Sequence, residues 1–423
     1  MTGLPGCRAA GLQPRTTAPG PRTTPPHPSE RSTTEEEAMV DGNEPHGTVS
    51  DGFQPVRDEF AAVAAAEGGG FAAQLVAYRH GERVVDLWTG PEITGDSLLG
   101  VYSASKGAAH LVVALLVQEG VLELDQKVSH YWPAFGVAGK RDVTLRELLS
   151  HRAGLVGADG GFTLDELADD RIVAERLAGQ RPYWRPGSAF GYHALVIAAL
   201  TGEVVRRATG RTLQAHFAER IRDPYAVDFH LGLPDGQEPR YLSAQPMLPT
   251  PERLAELAAR ATGPNSLPGI AFNRHHPGNP ELWQLPNFRT VRAAGPASFG
   301  GVASARGMAR MYAVAIGSAG GAAPLLEAAT AAEFAQVHSL GHDLVTREHK
   351  AFGLGFHATS EVYPVLGQGA FGHSGAGGQQ AFADPRNGLA YGYSRRRFPF
   401  PNGPGPENDR LIRALYAAAD AHR

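Results

Sequence analysis

Of the 39 lysines and arginines in this 423-residue chain, only four are lysines: Lys106, Lys127, Lys140 and Lys350. Lys106 stands three residues after a serine in Tyr102-Ser103-Ala104-Ser105-Lys106-Gly107. A buried lysine can give up its proton, whereas an arginine stays charged, so a lysine kept beside a hydroxyl in an arginine-rich chain points to a base. On a helix, residues i and i+3 share a face with Cβ atoms about 5–6 Å apart, which brings the Lys106 amine within reach of the Ser103 hydroxyl. Ser103 is therefore the candidate nucleophile. The motif is short enough to arise by chance, and its weight comes from its place. It opens a mostly apolar segment, from Ser103 to Glu119, that reads as a buried helix stopped by Gly120. Backbone N–H groups at a helix start favour a developing anion. A capping serine with a surface lysine is the plain alternative, and the small or apolar neighbours Ala104, Ala108, Ala109 and Leu111 speak against it.

Two further segments complete a constellation. In Gly191-Tyr192-His193-Ala194, a tyrosine sits at a loop-to-helix junction after Trp184-Arg185-Pro186-Gly187. Beside the Lys106 ammonium its phenol is expected to have a lowered pKa and to exchange a proton with Ser103 or a leaving group. In Gly372-His373-Ser374-Gly375-Ala376-Gly377-Gly378 the density of glycine forgoes packing, which a strand does where another backbone or a ligand comes close. The Ala376 N–H is the candidate partner of the Ser103 N–H in an oxyanion hole. Ser374 nearly sits in a Gly-x-Ser-x-Gly elbow, but the last position is Ala376 and a strand, not a helix, follows. His275-His276 lack the i, i+4 spacing and the nearby carboxylates of a zinc site, and no metal is expected.

These residues need elements to hold them. Residues 1–45 are rich in Pro, Thr, Gly and Arg and read as a disordered, dispensable tail, with Met39 as a second possible start. Residues 46–423 read as one serine hydrolase domain. Phe53, Val56, Phe60 and Val63 mark a helix ending before Gly68-Gly69-Gly70, and two β-rich runs around His80-Gly81 mark a hairpin. A mostly helical subdomain is expected over about 140–290, with capping boxes at Thr144-Glu147 and Thr163-Glu166 and a helix from about Ala194 to Thr209. Residues 234–290 show no clear periodicity and read as a wandering loop. Strands return near 370–393, and Leu411, Ile412, Leu415 and Tyr416 mark a closing helix. Strands at both chain ends with helices between predict an α+β fold, an antiparallel sheet built from both ends and flanked by helices.

Composition narrows the function. A net charge of −4 supplies no electrostatic case for nucleic acid or an anionic membrane. Arg395-Arg396-Arg397 reads as a solvated strand end. The single cysteine, Cys7, excludes an internal disulfide and a cysteine-based metal site. No stretch is long and apolar enough to cross a bilayer, and the first residues lack the apolar core of a secretory signal, so a cytoplasmic location is the expectation.

The chain resembles the serine β-lactamase and penicillin-binding-protein superfamily, in the branch holding class C β-lactamases and family VIII carboxylesterases. Ser103-Ala104-Ser105-Lys106 matches its Ser-x-x-Lys motif. Tyr192-His193-Ala194 stands in the place of Tyr-x-Asn, and His373-Ser374-Gly375 in that of Lys-Thr-Gly. Val117 to Asp125 and Leu148-Leu149-Ser150-His151-Arg152-Ala153-Gly154-Leu155 resemble two further landmarks, and in the second His151 is expected to hold a turn. The resemblance implies a β-lactamase-like fold and an acyl-enzyme on Ser103. It also implies Lys106 and Tyr192 as general base and acid, and His373, Ser374, Gly375 and His193 bordering a small-molecule substrate, with no cofactor. Two departures, Ala194 for asparagine and His373 for lysine, remove contacts that orient a β-lactam and favour an ester as substrate. Acyl transfer to another acceptor, β-lactam or peptide amide hydrolysis and, more remotely, a catalytically silent binding protein are the alternatives. The oligomeric state is left open.

Overall fold

In the computed structural model the described residues are Gly3, 44–317, Ala319 and 323–421. Those from 44 onward belong to one body, Gly42–Arg423. The expected tail lies almost wholly outside the described residues.

The frame is a nine-stranded sheet. Its strands are β1 (His46–Val49), β2 (Ala73–Arg79), β3 (Glu82–Thr89), β4 (Ser339–His342), β5 (His349–Phe352), β6 (His357–Ala358), β7 (Phe371–Ser374), β8 (Gln380–Asp384) and β9 (Leu389–Arg395). They lie in the order β1-β3-β2-β9-β8-β7-β6-β5-β4, each pair antiparallel. The join between the two chain ends is β2 against β9, in register from Ala73↔Arg395 to Arg79↔Leu389. The predicted hairpin is β2–β3. Its two turn residues, His80 and Gly81, both have positive φ, 48° and 83°. That left-handed pair matches the twist of the strands it joins.

Alternation along the strands separates two cores. On β2, Leu75 and Ala77 face one side with α1 (Gln54–Glu67) and the closing helix α6 (Glu407–Asp420). Val76 and Tyr78 face the other, with α2 (Ser105–Gln118) and α5 (Ala305–Ile316). Period-2 side chains leave each face a separate apolar layer to bury. Gly392 on β9 lets α5 close on the sheet, since a Cβ there would meet Ala305 O and Ala309 N at 2.6 Å.

Between the two halves of the sheet lies the helical part. Both predicted capping boxes form, on Leu145–Leu149 and Leu164–Ala168. The third helix, α3, runs Ile197–Thr209, beginning three residues later than expected and ending at Gly210, φ 76°. Residues 234–290 are not featureless, which corrects the expectation of a bare loop. They hold α4 (Pro251–Arg260), capped by Thr250, with no residue of the helix buried. Its apolar residues, Leu254, Ala255, Leu257, Ala258 and Ala259, recur at helical spacing in a proline-rich stretch.

The arginine run is also corrected. Arg395 is buried, paired with Glu67 at 2.7 Å and Glu407 at 3.0 Å, with its guanidinium 4.9 Å from the Phe71 ring. It ties α1 and α6 to the end of β9. Arg396 pairs with Glu92 at 2.6 Å, and Arg397 donates to the Gly69 carbonyl. Runs of like charge usually mark solvated surface, and here the pairing residues come from distant parts of the chain.

Candidate active site

From Ser97 to Leu116 every residue is buried except Ser103, which is half-buried. It sits on a single 3-10 turn, Tyr102–Ala104, that leads into α2. Tyr102 holds that turn with a left-handed backbone, φ 47°, a conformation a bulky residue keeps only where its surroundings enforce it. Its hydroxyl donates to the Trp283 carbonyl at 2.8 Å, and its ring packs edge-on to Phe398 at 5.1 Å. Ser105, the second serine of the motif, donates to the Tyr102 carbonyl and accepts from the Gly301 N–H at 2.9 Å. It pins the turn, a role the motif alone did not reveal.

Lys106 is fully buried. Its Nζ lies 3.1 Å from Ser103 Oγ, 2.6 Å from the Ala194 carbonyl and 2.7 Å from the Ser298 carbonyl. No carboxylate pairs with it among the described residues. Burial drives its pKa well below the usual lysine range. A neutral amine has two N–H donors and one lone pair. As an ammonium Lys106 donates to both carbonyls and to Ser103 Oγ; once deprotonated, its two donors suit the carbonyls and its lone pair the Ser103 hydroxyl. Ser298 had no motif to mark it, because its part is played by a backbone carbonyl 192 residues along the chain from the lysine. The Ala194 contact works the same way. Its methyl cannot replace an asparagine amide, but its carbonyl keeps the lysine contact that the substitution was expected to lose.

Tyr192 is buried, its ring 4.9 Å from Lys106 Nζ and stacked on Phe352 at 5.9 Å. The expectation of a lowered pKa is corrected. Burial pushes the phenol up, against the lowering effect of its hydrogen bond with Ser103, and Asp343 raises it further. The cost of burying a phenolate outweighs what the neighbouring groups return. Tyr192 is thus a proton donor at neutral pH.

Histidines shape the Tyr192 loop. His193 is buried, its Nε2 accepting from the Leu155 N–H at 3.1 Å and its Nδ1 donating to the Gly191 carbonyl at 2.7 Å. Both nitrogens are occupied by backbone, which corrects the expectation that His193 borders substrate. Burial lowers its pKa to about 4. His151 accepts from the His193 N–H through Nδ1 and from the Gly191 N–H through its carbonyl, both at 3.1 Å, and so holds the turn.

The glycine-rich strand end does approach another backbone. A Cβ on Gly375 would meet the Val101 carbonyl at 2.5 Å, and one on Gly377 the Tyr102 ring at 2.8 Å. These glycines let residues 375–377 lie against the turn that carries Ser103. Gln379 holds this loop by accepting from the Gly375 and Gly377 N–H groups, and Ala376 between them is half-buried. Ser374 is half-buried and Gly375 buried beside it. His373 is fully buried, which corrects the expectation that its imidazole borders substrate directly. Its Nδ1 donates to the Ser374 carbonyl at 2.8 Å, and its ring lies 4.0 Å from that of His357. Burial, then His357, puts its pKa well below the usual range, so it is neutral.

A half-buried serine over a buried lysine in Ser-x-x-Lys, with a tyrosine from a separate helical region and a glycine strand end packed against the serine's turn, fits the serine hydrolases built on a β-lactamase-like fold. The Beta-lactamase family model matches residues 57–418, and the chain belongs to that family. It is similar to "Esterase/beta-lactamase LipL" of Mycobacterium tuberculosis, 30% identical over 354 residues, 76% of each chain. Among solved structures it is similar to EstA from Arthrobacter nitroguajacolicus Rue61a, with a TM-score of 0.82 and 41% identity over 88% of this chain and 98% of that one. A family VIII carboxylesterase gives a TM-score of 0.78 and 32% identity over 89% of this chain and 100% of that one. The chain is thus a hydrolase related to the β-lactamases. Among the described residues no helix is long and apolar enough to cross a membrane.

Proposed function

We propose that the protein hydrolyses carboxylic esters through an acyl-enzyme on Ser103. The observation that carries this is the buried Lys106 amine, held 3.1 Å from Ser103 Oγ by two backbone carbonyls, which on deprotonation take its two donors and leave its lone pair for the Ser103 hydroxyl. Lys106 takes the Ser103 proton as Oγ attacks the ester carbonyl. The Ser103 and Ala376 N–H groups receive the oxyanion. Tyr192, protonated and hydrogen-bonded to Ser103, gives its proton to the departing alkoxide and regains one from the Lys106 ammonium, whose nitrogen lies 4.9 Å from its ring. Water then enters along the alcohol's path and the steps run in reverse to release the acid. Lys106 is the proximal base in this scheme and Tyr192 the acid. The names of the relatives, esterase and carboxylesterase, point the same way.

A fluorophosphonate probe with peptide mapping tests the nucleophile. Labelling is expected at Ser103 alone, absent in Ser103→Ala, and labelling elsewhere with retained esterase activity would overturn the proposal.

A further inference from the structure

We infer that the acyl half of the ester lies on an apolar wall made by Met247, Leu282 and Trp283 beside Ala376, and that the enzyme favours esters of extended apolar acids over acetates. This rests on the acyl-enzyme reading above. Tyr102, Ala244 and Phe398 form a small buried cluster at the nucleophile turn, separate from the two main cores. Met247, Leu282, Trp283 and Ala376 pack on it while remaining half-buried. Three large apolar side chains are therefore left partly open next to the residue whose N–H is assigned to the oxyanion. Partly exposed apolar side chains beside a reacting carbonyl give an apolar substituent a surface to cover. The wall is also fixed to the chemistry, because the Tyr102 hydroxyl donates to the Trp283 carbonyl at 2.8 Å.

Geometry assigns the acyl half rather than the alcohol. Around the tetrahedral carbon the oxyanion points to Ser103 and Ala376, and the alcohol points to the acid that protonates it, Tyr192. Tyr192 packs among His151, Phe352, His357 and His373 in the large core on the α2 side, which Leu282 also touches. Met247 and Trp283 pack on the Tyr102 cluster and not on that core, which leaves them to the remaining substituent, the acyl chain.

The test is kcat/KM for p-nitrophenyl acetate, butyrate and hexanoate on the full chain, in wild type, Trp283→Ala and Met247→Ser. Each preparation is read as its hexanoate-to-acetate ratio, which does not depend on the fraction of protein folded. A fully covered methylene is worth up to about fourfold, so wild type should prefer hexanoate. Trp283→Ala should lower the ratio about tenfold and Met247→Ser by a smaller factor, since each removes part of the covering surface. Leu254→Ser, on the exposed face of α4, should leave it unchanged. Ratios within twofold of wild type in both wall variants would overturn the inference while leaving ester hydrolysis standing. So would a chain-length preference that the wall variants alter only in a series of acetates with lengthened alcohols. A wild type that cleaves no ester in either series removes the proposed function and this inference with it.

Discussion

Lys106→Arg separates charge from basicity more cleanly than any other change at this site. The native amine is fully buried, within 2.6 and 2.7 Å of two carbonyls and 3.1 Å of the nucleophile, with no carboxylate paired to it among the described residues. An arginine supplies donors and a permanent positive charge but cannot accept a proton at any working pH. If Lys106 is the base, kcat on p-nitrophenyl butyrate should fall by about 10³–10⁶-fold, the range seen when one member of a nucleophile–base unit is removed. Stability should fall as well, since a permanent cation replaces a group that burial allows to be neutral, and the desolvation cost of such an ion is several kcal/mol. Thermal unfolding measured beside stopped-flow p-nitrophenol release separates the two effects. The wild-type pH profile is the companion measurement. Burial lowers the Lys106 pKa, and the base works only when deprotonated, so activity should be lost as pH falls through that lowered value. The upper limit belongs to Tyr192, whose raised pKa keeps the acid protonated to beyond pH 10. For stability the sign is also fixed: between the folded and unfolded lysine pKa values the unfolded chain binds more protons, so this group's contribution grows more favourable as pH rises across that window. A Lys106→Arg enzyme within tenfold of wild type, with its acid limb intact, would refute the base assignment.

Arg395→Ala should destabilise the fold by about 3–5 kcal/mol, because it strands the buried Glu407 and frees Glu67, and denaturant unfolding reads this directly. Esters should be cleaved much better than nitrocefin. The missing Asn amide at Ala194 and the neutral, buried His373 withhold two contacts worth roughly 1.5–3 kcal/mol each, or about two to four powers of ten in kcat/KM if both act in the transition state. Efficient nitrocefin turnover with little ester cleavage would reverse that assignment. Deleting residues 1–38 should leave melting temperature and activity unchanged, and a loss of several degrees would show that the segment docks on the body.

Local pattern carried much of this protein into view. The hairpin at His80-Gly81 was legible because both residues tolerate positive φ between alternating strands, and the capping boxes because each is an exchange of hydrogen bonds between residues three positions apart. Ser103 and Lys106 were legible because their pairing is spaced along one turn. Arg395 misled for the opposite reason. Nothing near it in sequence shows the two carboxylates that bury it, Glu67 and Glu407. The buried α2 was legible from its apolar run, whereas the amphipathic α4 was masked by the prolines around it and has no buried residue to tie it to the core.

The sequence by itself determined which residue types were present to do chemistry, a lysine where arginine is the rule and a serine one turn before it, and the α+β order of elements around them. Only the tertiary structure decided their chemical state. The carbonyls that hold the Lys106 nitrogen come from Ala194 and Ser298, and a backbone carbonyl is common to every residue type, so no motif can announce it. The direction of the Tyr192 pKa was set by burial, not by the neighbouring nitrogen, and burial is a property of the packed whole. Charge, orientation and desolvation act through space, and in this chain that space is closed by residues as much as 192 positions apart.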